Sequence, residues 1–312
     1  MSTLKPISAP LDRASELRSD EAALDRLWSA AKIIRVSDSK LASDGTSLQF
    51  INAAEVEKLV SAQIFTSGEK YFLGIDTATQ VAYFAWDCDE VGKSAGDEKS
   101  EGLASLRELG ATLDEFHLGI SMHAIALSNW HRSHPHCSKC GALTESKLGG
   151  SVRVCVQDQS QHHPRTDSAV IVLVKDKEDR ILLGHQPIWP DGRFSTFAGF
   201  LEPGETFEQC VEREVFEEAG VKVSQMQYLG SQPWPFPASI MIAFSAVVDD
   251  PSTAKADGVE ITEVRWFSRD DLKKSIADGS LLLPPTISVA RKMIAMWFGP
   301  GADKLTGGES WR

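Results

Sequence analysis

The chain has 312 residues, room for about two domains at roughly 150 residues each. Apolar residues make up 42% and charged residues 24%, a balance that excludes a disordered chain. Lys plus Arg total 32 against 44 Asp plus Glu; the net charge of −12 argues against a general nucleic-acid binder and leaves any phosphate substrate in need of a cation.

Residues 1–25 contain no apolar run flanked by basic residues, so no signal peptide is expected. The most apolar late stretch, 281–298, is broken by Pro284, Pro285, Arg291 and Lys292, so no membrane span is expected either. The expected setting is the cytoplasm. Five cysteines do not suit a disulfide framework in a chain of this size. Cys88 and Cys210 read as ordinary core thiols, and the other three cluster.

In chain order, 19–31 is the first expected helix. Residues 48–86 read as short strands over 48–52, 71–75 and 81–86, with turns at Gly68 and 76–80. The polar, aperiodic stretch 87–102 reads as a surface loop. A helix is expected over 118–130, closed by Pro135. Residues 1–131 are therefore expected to form a small α+β domain. His131, His134 and His136 read as linker residues. Residues 132–165 hold Cys137-x-x-Cys140 and then Cys155, most of a zinc-ribbon pattern. The continuous apolar run 169–174 is a buried strand, and 180–184 is a second. The main domain is expected over 166–299, with 300–312 a loose tail rich in Gly.

The most informative stretch is 199–221. Gly199 and Gly204 bracket a loop with Pro203, Thr206 can cap a helix running to Ala219, and Gly220 suits its left-handed end. Glu214, Glu217 and Glu218 fall at i, i+3, i+4, on one helix face, beside an apolar stripe of Val211, Val215 and Ala219. Carboxylates packed that closely repel one another, and a hard divalent cation with oxygen ligands relieves the repulsion. The bland alternative is a solvated acidic face, which leaves the loop glycines, Glu205 and Arg213 unexplained.

This stretch resembles the Nudix hydrolase signature G-x5-E-x7-R-E-U-x-E-E-x-G-U. Gly199, Glu205, Arg213, Glu214, Val215, Glu217, Glu218, Gly220 and Val221 match every fixed position. The resemblance implies an α/β/α sandwich with a mixed sheet. It implies cleavage of a pyrophosphate bond with Mg²⁺ or Mn²⁺ held by Glu214, Glu217 and Glu218, while Arg213 pairs with Glu205 to brace the loop. Residues 231–239, Ser-Gln-Pro-Trp-Pro-Phe-Pro-Ala-Ser, resemble the S-Q-P-W-P-F-P-x-S motif of the NADH pyrophosphatase branch. Alternating prolines predict a stiff extended segment that holds Trp234 and Phe236, with Trp234 a platform for a base.

Carried over by position, the branch implies a base-stacking role for Phe200. It implies pocket roles for Gln232, Trp234, Ser239 and Met241, a further metal-side carboxylate at Glu260, and a backbone contact to substrate phosphate at Ala290. It also implies a homodimer. Its ribbon is completed by a second C-x2-C, but here Asp158 stands at the fourth position. Asp158, His162 or His163 could supply the fourth zinc ligand. The expected reaction is hydrolysis of NADH, and of NAD⁺, to nicotinamide mononucleotide plus AMP, with Glu218 or Glu260 as base. Removal of NAD caps from RNA 5′ ends uses the same bond. A rival of another class is a non-catalytic dinucleotide sensor or zinc-ribbon adaptor, and no box carboxylate is lost to favour it.

Overall fold

The structure is a computed structural model that describes residues 4, 11–92 and 102–305. Most of the expected surface loop, 93–101, and the end of the tail, 306–312, lie outside the described residues. The chain divides into two compact units. One comprises Ile7–Thr166 and Pro235–Ala238; the other comprises Met1–Pro6, Asp167–Trp234 and Ser239–Arg312.

The first unit runs β1 (Leu11–Asp12), α1 (Glu21–Ser29), β2 (Lys32–Ser37), β3 (Lys40–Ala42), β4 (Phe50–Ile51), α2 (Ala53–Ser61), β5 (Glu69–Asp76), β6 (Ala82–Asp87), β7 (Leu103–Ser105), α3 (Leu106–Leu109) and α4 (Glu115–Ser133). Its mixed sheet has the order β1-β5-β6-β2-β3-β7, with β4 on β2. Strand alternation sorts the core into two. Ile34 and Val36 pack with Ile120, Ala124 and Ile125 of α4. Ile33, Phe72, Phe84 and Trp86 pack with Trp28 of α1 and Val56 of α2. The expectation of strands alone over 48–86 is corrected by α2. Asn52 accepts the Glu55 N–H, and the Glu55 carboxylate returns to the Asn52 N–H, a reciprocal cap that starts a helix there.

A small antiparallel sheet completes this unit: β8 (Thr144–Lys147), β9 (Val152–Cys155) and β10 (Gln161–His162), in the order β10-β9-β8. His131 is not a linker residue. It is buried on α4, stacks on Tyr71 with centroids 4.4 Å apart, and has Nε2 2.8 Å from the Gly150 carbonyl. Arg153 of β9 donates to its Nδ1 at 2.7 Å, so the ring is neutral with the proton on Nε2.

The second unit runs β11 (Asp167–Lys175), β12 (Ile181–His185), β13 (Phe197–Phe200), α5 (Phe207–Ala219), β14 (Val223–Trp234), β15 (Ser239–Val248), β16 (Glu263–Phe267), α6 (Arg269–Ala277) and α7 (Val289–Phe298). Its mixed sheet has the order β14-β15-β11-β12-β16, with β13 on β11. β11 is buried on both faces, as its unbroken apolar run requires. Val170, Val172 and Val174 pack with Val211, Val215 and Ala219 of α5. Ile171 and Leu173 pack with Leu272 of α6 and Met293, Ile294 and Trp297 of α7. This is an α/β/α sandwich. Cys88 and Cys210 are both buried thiols.

Two local expectations are corrected. Residues 231–239 are not one extended segment. Ser231–Trp234 end β14, Ser239 begins β15, and Trp234 pairs with Ser239 across the hairpin. Pro233 is tolerated because β14 is an edge strand. The tip belongs to the first unit, where Asn129 of α4 donates to the Pro235 and Pro237 carbonyls at 3.1 and 2.9 Å. The tail is also not loose throughout, since residues 302–304 form a short 3₁₀ turn and Leu305 is buried in the α7 core.

Candidate active site

Glu214, Glu217 and Glu218 lie in the last two turns of α5. Thr206 caps the helix by accepting the Gln209 N–H, with Gln209 returning the bond, and Gly220 ends it at φ 66°. Arg213 sits among the acids as a clamp. Its Nε and Nη2 donate to the two Glu205 oxygens at 2.6 and 2.9 Å, and Nη2 also donates to the Phe200 carbonyl at 2.9 Å. Its Nη1 donates to Glu214 at 2.8 Å and Glu217 at 3.0 Å. Glu205 in turn accepts the Glu202 N–H, so one guanidinium ties the 200–205 loop to the helix. Arg213 holds the Glu205 carboxyl down to about 2, with the Glu202 N–H bond second.

Glu218 is the buried member at 4% exposure, and it accepts the Ala198 N–H of β13 at 3.1 Å. Burial pushes its carboxyl up to about 8, with repulsion from Glu260 and Glu214 next. Burial likewise raises Glu214. Glu260 therefore belongs electrostatically with the α5 acids. The donor set fits a divalent cation. It consists of hard carboxylate oxygens, one of them on the buried Glu218, whose ionised form would gain a compensating charge from an ion.

A stability consequence follows for the metal-free protein. A carboxyl with a raised folded value keeps its proton in the folded state while the unfolded chain, near 4.5, has lost it. That contribution is full below about pH 4.5 and is lost as pH rises through about 8. In EDTA, Tm should fall from pH 5 to pH 8.5, and Mg²⁺ should restore it at the upper end. Glu218→Gln should flatten the slope, and an unchanged slope would remove Glu218 as its source.

Between β14, β15 and α7, a cavity of about 120 Å³ is lined by Gln232, Trp234, Met241 and Ala290 together with Ser195 and Ser288. Four sequence-predicted positions thus meet in one place. Ser195 and Ser288 gave no signal in the sequence. Gln232 is 3% exposed; its Nε2 donates to the Ile287 carbonyl at 2.8 Å while its buried Oε1 has no hydrogen-bond partner. A ligand N–H would satisfy it. Ser239 is buried opposite Trp234 but is not among the lining residues. Phe200, at the end of β13, is 58% exposed.

In the ribbon, Cys137, Cys140, Cys155 and Asp158 offer ligand atoms that all lie within 4.8 Å of one another. His162 and His163 are not in that group; His162 Nε2 sits 3.2 Å from Ser160 Oγ, and the His162 side chain also hydrogen-bonds Cys137. Three thiols and a carboxylate suit a tetrahedral divalent ion. No helix among the described residues is long and apolar enough to cross a membrane.

The Nudix domain family model matches residues 164–284. The NAD-capped RNA hydrolase NudC of Mycobacterium bovis (strain BCG / Pasteur 1173P2) is 36% identical over 300 residues, 92% of each chain. The human NAD-capped RNA hydrolase NUDT12 is 34% identical over 232 residues, 70% of this chain and 50% of its own. A Nudix hydrolase crystal structure from Nitrosomonas europaea has 27% identity and a TM-score of 0.38, covering 44% of this chain and 78% of that one. A relative this similar across nearly the whole of both chains, together with an unbroken carboxylate box, settles the kinship: the chain belongs to the NADH pyrophosphatase family of the Nudix hydrolases.

Proposed function

We propose that this enzyme hydrolyses the pyrophosphate bond of NADH, and of NAD⁺, to nicotinamide mononucleotide plus AMP. The observation that carries the reading is the cavity where Gln232, Trp234, Met241 and Ala290 converge around an unpaired buried acceptor. Its volume suits one ring system and falls well below the roughly 300–1,000 Å³ that encloses a drug-sized ligand. One base enters it, and the rest of the dinucleotide stays outside.

Glu214, Glu217, Glu218 and Glu260 would hold Mg²⁺ or Mn²⁺. Bound there, such ions supply neutralisation of the pyrophosphate oxygens and a more acidic attacking water. Glu218 or Glu260 takes the proton from that water. Arg213 keeps the carboxylates and the 200–205 loop in register, and Phe200 presents a face for stacking. Hydrolysis in ¹⁸O-labelled water should place the label on AMP alone. Label on the mononucleotide would sink attack at the adenylate phosphorus, and absence of metal-dependent turnover with tight dinucleotide binding would favour a sensor instead.

A second substrate, the NAD cap of an RNA 5′ end, is favoured by the names of the relatives. The first unit also carries a groove of about 740 Å³ lined by Arg107, Arg132 and Arg165 with Trp130 and Phe236, the residue types that meet single strands. Turnover of NADH, NAD⁺ and a capped oligonucleotide, compared at two salt concentrations, ranks them. The reading includes a homodimer in the cytoplasm, supported by family membership.

Zinc is the proposed ion at Cys137, Cys140, Cys155 and Asp158. Asp158→Ala should weaken zinc retention by at least the roughly 10- to 100-fold that loss of an outer partner costs. Asp158→Cys should strengthen it, because a thiolate is the softer ligand. Zinc content after dialysis against graded chelator measures both, and equal retention in all three proteins would exclude Asp158 as a ligand.

A further inference from the structure

The segment 249–262 links β15 to β16 and carries Glu260. Its backbone is pinned to α5 on one side and to β12 at its end. Lys255 N–H donates at 2.9 Å to the carbonyl of Ala219, the residue after Glu218, and so occupies an otherwise open carbonyl at the end of α5. Thr262 N–H donates to the His185 carbonyl of β12 at 2.9 Å. Ile261 is buried against Gly184, where an added Cβ would lie 3.2 Å from an Ile261 methyl.

Between these pins, one side chain organises the turn. The Asp257 carboxylate accepts three successive backbone N–H groups: Val259 at 3.2 Å and Glu260 at 3.0 Å on Oδ2, and Ile261 at 2.7 Å on Oδ1. Gly258 N–H closes the turn onto the Ile261 carbonyl at 2.9 Å, with φ at 82°. Both carboxylate oxygens are used inward, on the loop itself. Glu260, held by its own N–H, is left exposed, and its charge reaches Glu218 and Glu214.

We propose that Asp257 is a positioning residue for the pyrophosphatase reaction, its carboxylate fixing the loop that holds Glu260 against the carboxylates of α5. The proposal rests on the metal-side role assigned to Glu260. Without Asp257, three N–H groups lose their acceptor and Glu260 moves with the loop. A displacement of 1 Å near reacting groups costs roughly 100-fold in rate, which sets the expected scale.

The test is a double-mutant cycle on the full-length protein, read in two ways. One readout is kcat and KM for NADH with Mg²⁺. The other is Mn²⁺ binding to the free protein by electron paramagnetic resonance, which needs no turnover. Asp257→Ala should lower kcat roughly 100-fold, leave KM within about twofold, and weaken Mn²⁺ binding. In a Glu260→Gln background it should add nothing. Asp257→Asn keeps one oxygen for the Ile261 N–H, so it should recover part of the loss, and it serves as the test if the Ala variant does not fold. A full additional loss on Glu260→Gln, or no loss in Asp257→Ala, overturns the proposal. If Glu260→Gln alone changes neither readout, the role given to Glu260 has failed. If Asp257→Ala is then still impaired, Asp257 acts by another route and the positioning proposal fails on its own.

Discussion

Glu218→Gln is expected to lower kcat for NADH roughly 10³- to 10⁴-fold while leaving the metal-free protein as stable as the parent or more so. The upper range of general-base effects, about 10⁴-fold, sets the rate scale. A 10³-fold loss corresponds to about 4 kcal/mol of transition-state stabilisation. The direction of the stability change comes from burial. Glu218 is 4% exposed and its carboxyl is pushed up to about 8 by burial and by the charges of Glu260 and Glu214, so at neutral pH folding must return to it a proton that the unfolded chain has lost. Glutamine keeps the shape and an oxygen to accept the Ala198 N–H, and it removes the charge. A variant that lost activity because it failed to fold would show the opposite stability change, so one thermal scan in EDTA separates the two causes. Glu217→Gln is the control. Glu217 is exposed and bonds Arg213, so its loss should impair turnover without raising metal-free stability. Unchanged NADH turnover in Glu218→Gln would refute both roles given to this residue.

What the sequence showed of this site depended on whether the relevant contacts were local. Glu214, Glu217 and Glu218 share one face because of helical spacing alone, and the Thr206 and Gly220 caps fix where that helix starts and stops. The ladder from Val170 to Val174 was legible because a strand covered on both faces has no polar alternation to confuse it. Where pairing at long range decides, the reading failed. Proline spacing in 231–239 predicts an extended rod, yet edge-strand pairing with β15 bends it into a hairpin. α2 is hidden in the sequence although Asn52 and Glu55 announce its start, because the short apolar runs on either side favour strands. His131 looked like a linker residue until the ribbon folded back and supplied Arg153 and the Gly150 carbonyl. The role of Asp257 could not be read from any spacing, since it depends on where the segment after β15 is pinned.

Gly199 shows the same limit at the centre of the site. From sequence it reads as a turn glycine opening a loop. In the structure it lies within β13, paired with Val170 of β11. Its value is the space it leaves. A Cβ at Gly199 would sit 1.8 to 2.1 Å from the carboxyl carbon and both oxygens of Glu214. Neither side can yield easily. The strand is fixed by Val170, fully buried in the α5 core, and Glu214 is tethered by Arg213 at 2.8 Å. Gly199→Ala is therefore expected to drive the Glu214 carboxylate out of the cluster, weaken Mn²⁺ binding to the free protein, and lower kcat by roughly 100-fold or more, the scale of a 1 Å misplacement. Alanine is otherwise at home in a strand, where replacing glycine gains roughly 0.5–1 kcal/mol, so global stability should change little. A cycle with Glu214→Ala isolates the cause. Once the Glu214 side chain is cut back, the added methyl has nothing to displace, and Gly199→Ala should cost no further activity. A loss that persists undiminished in that background would place the damage in the strand itself rather than in the carboxylate it makes room for.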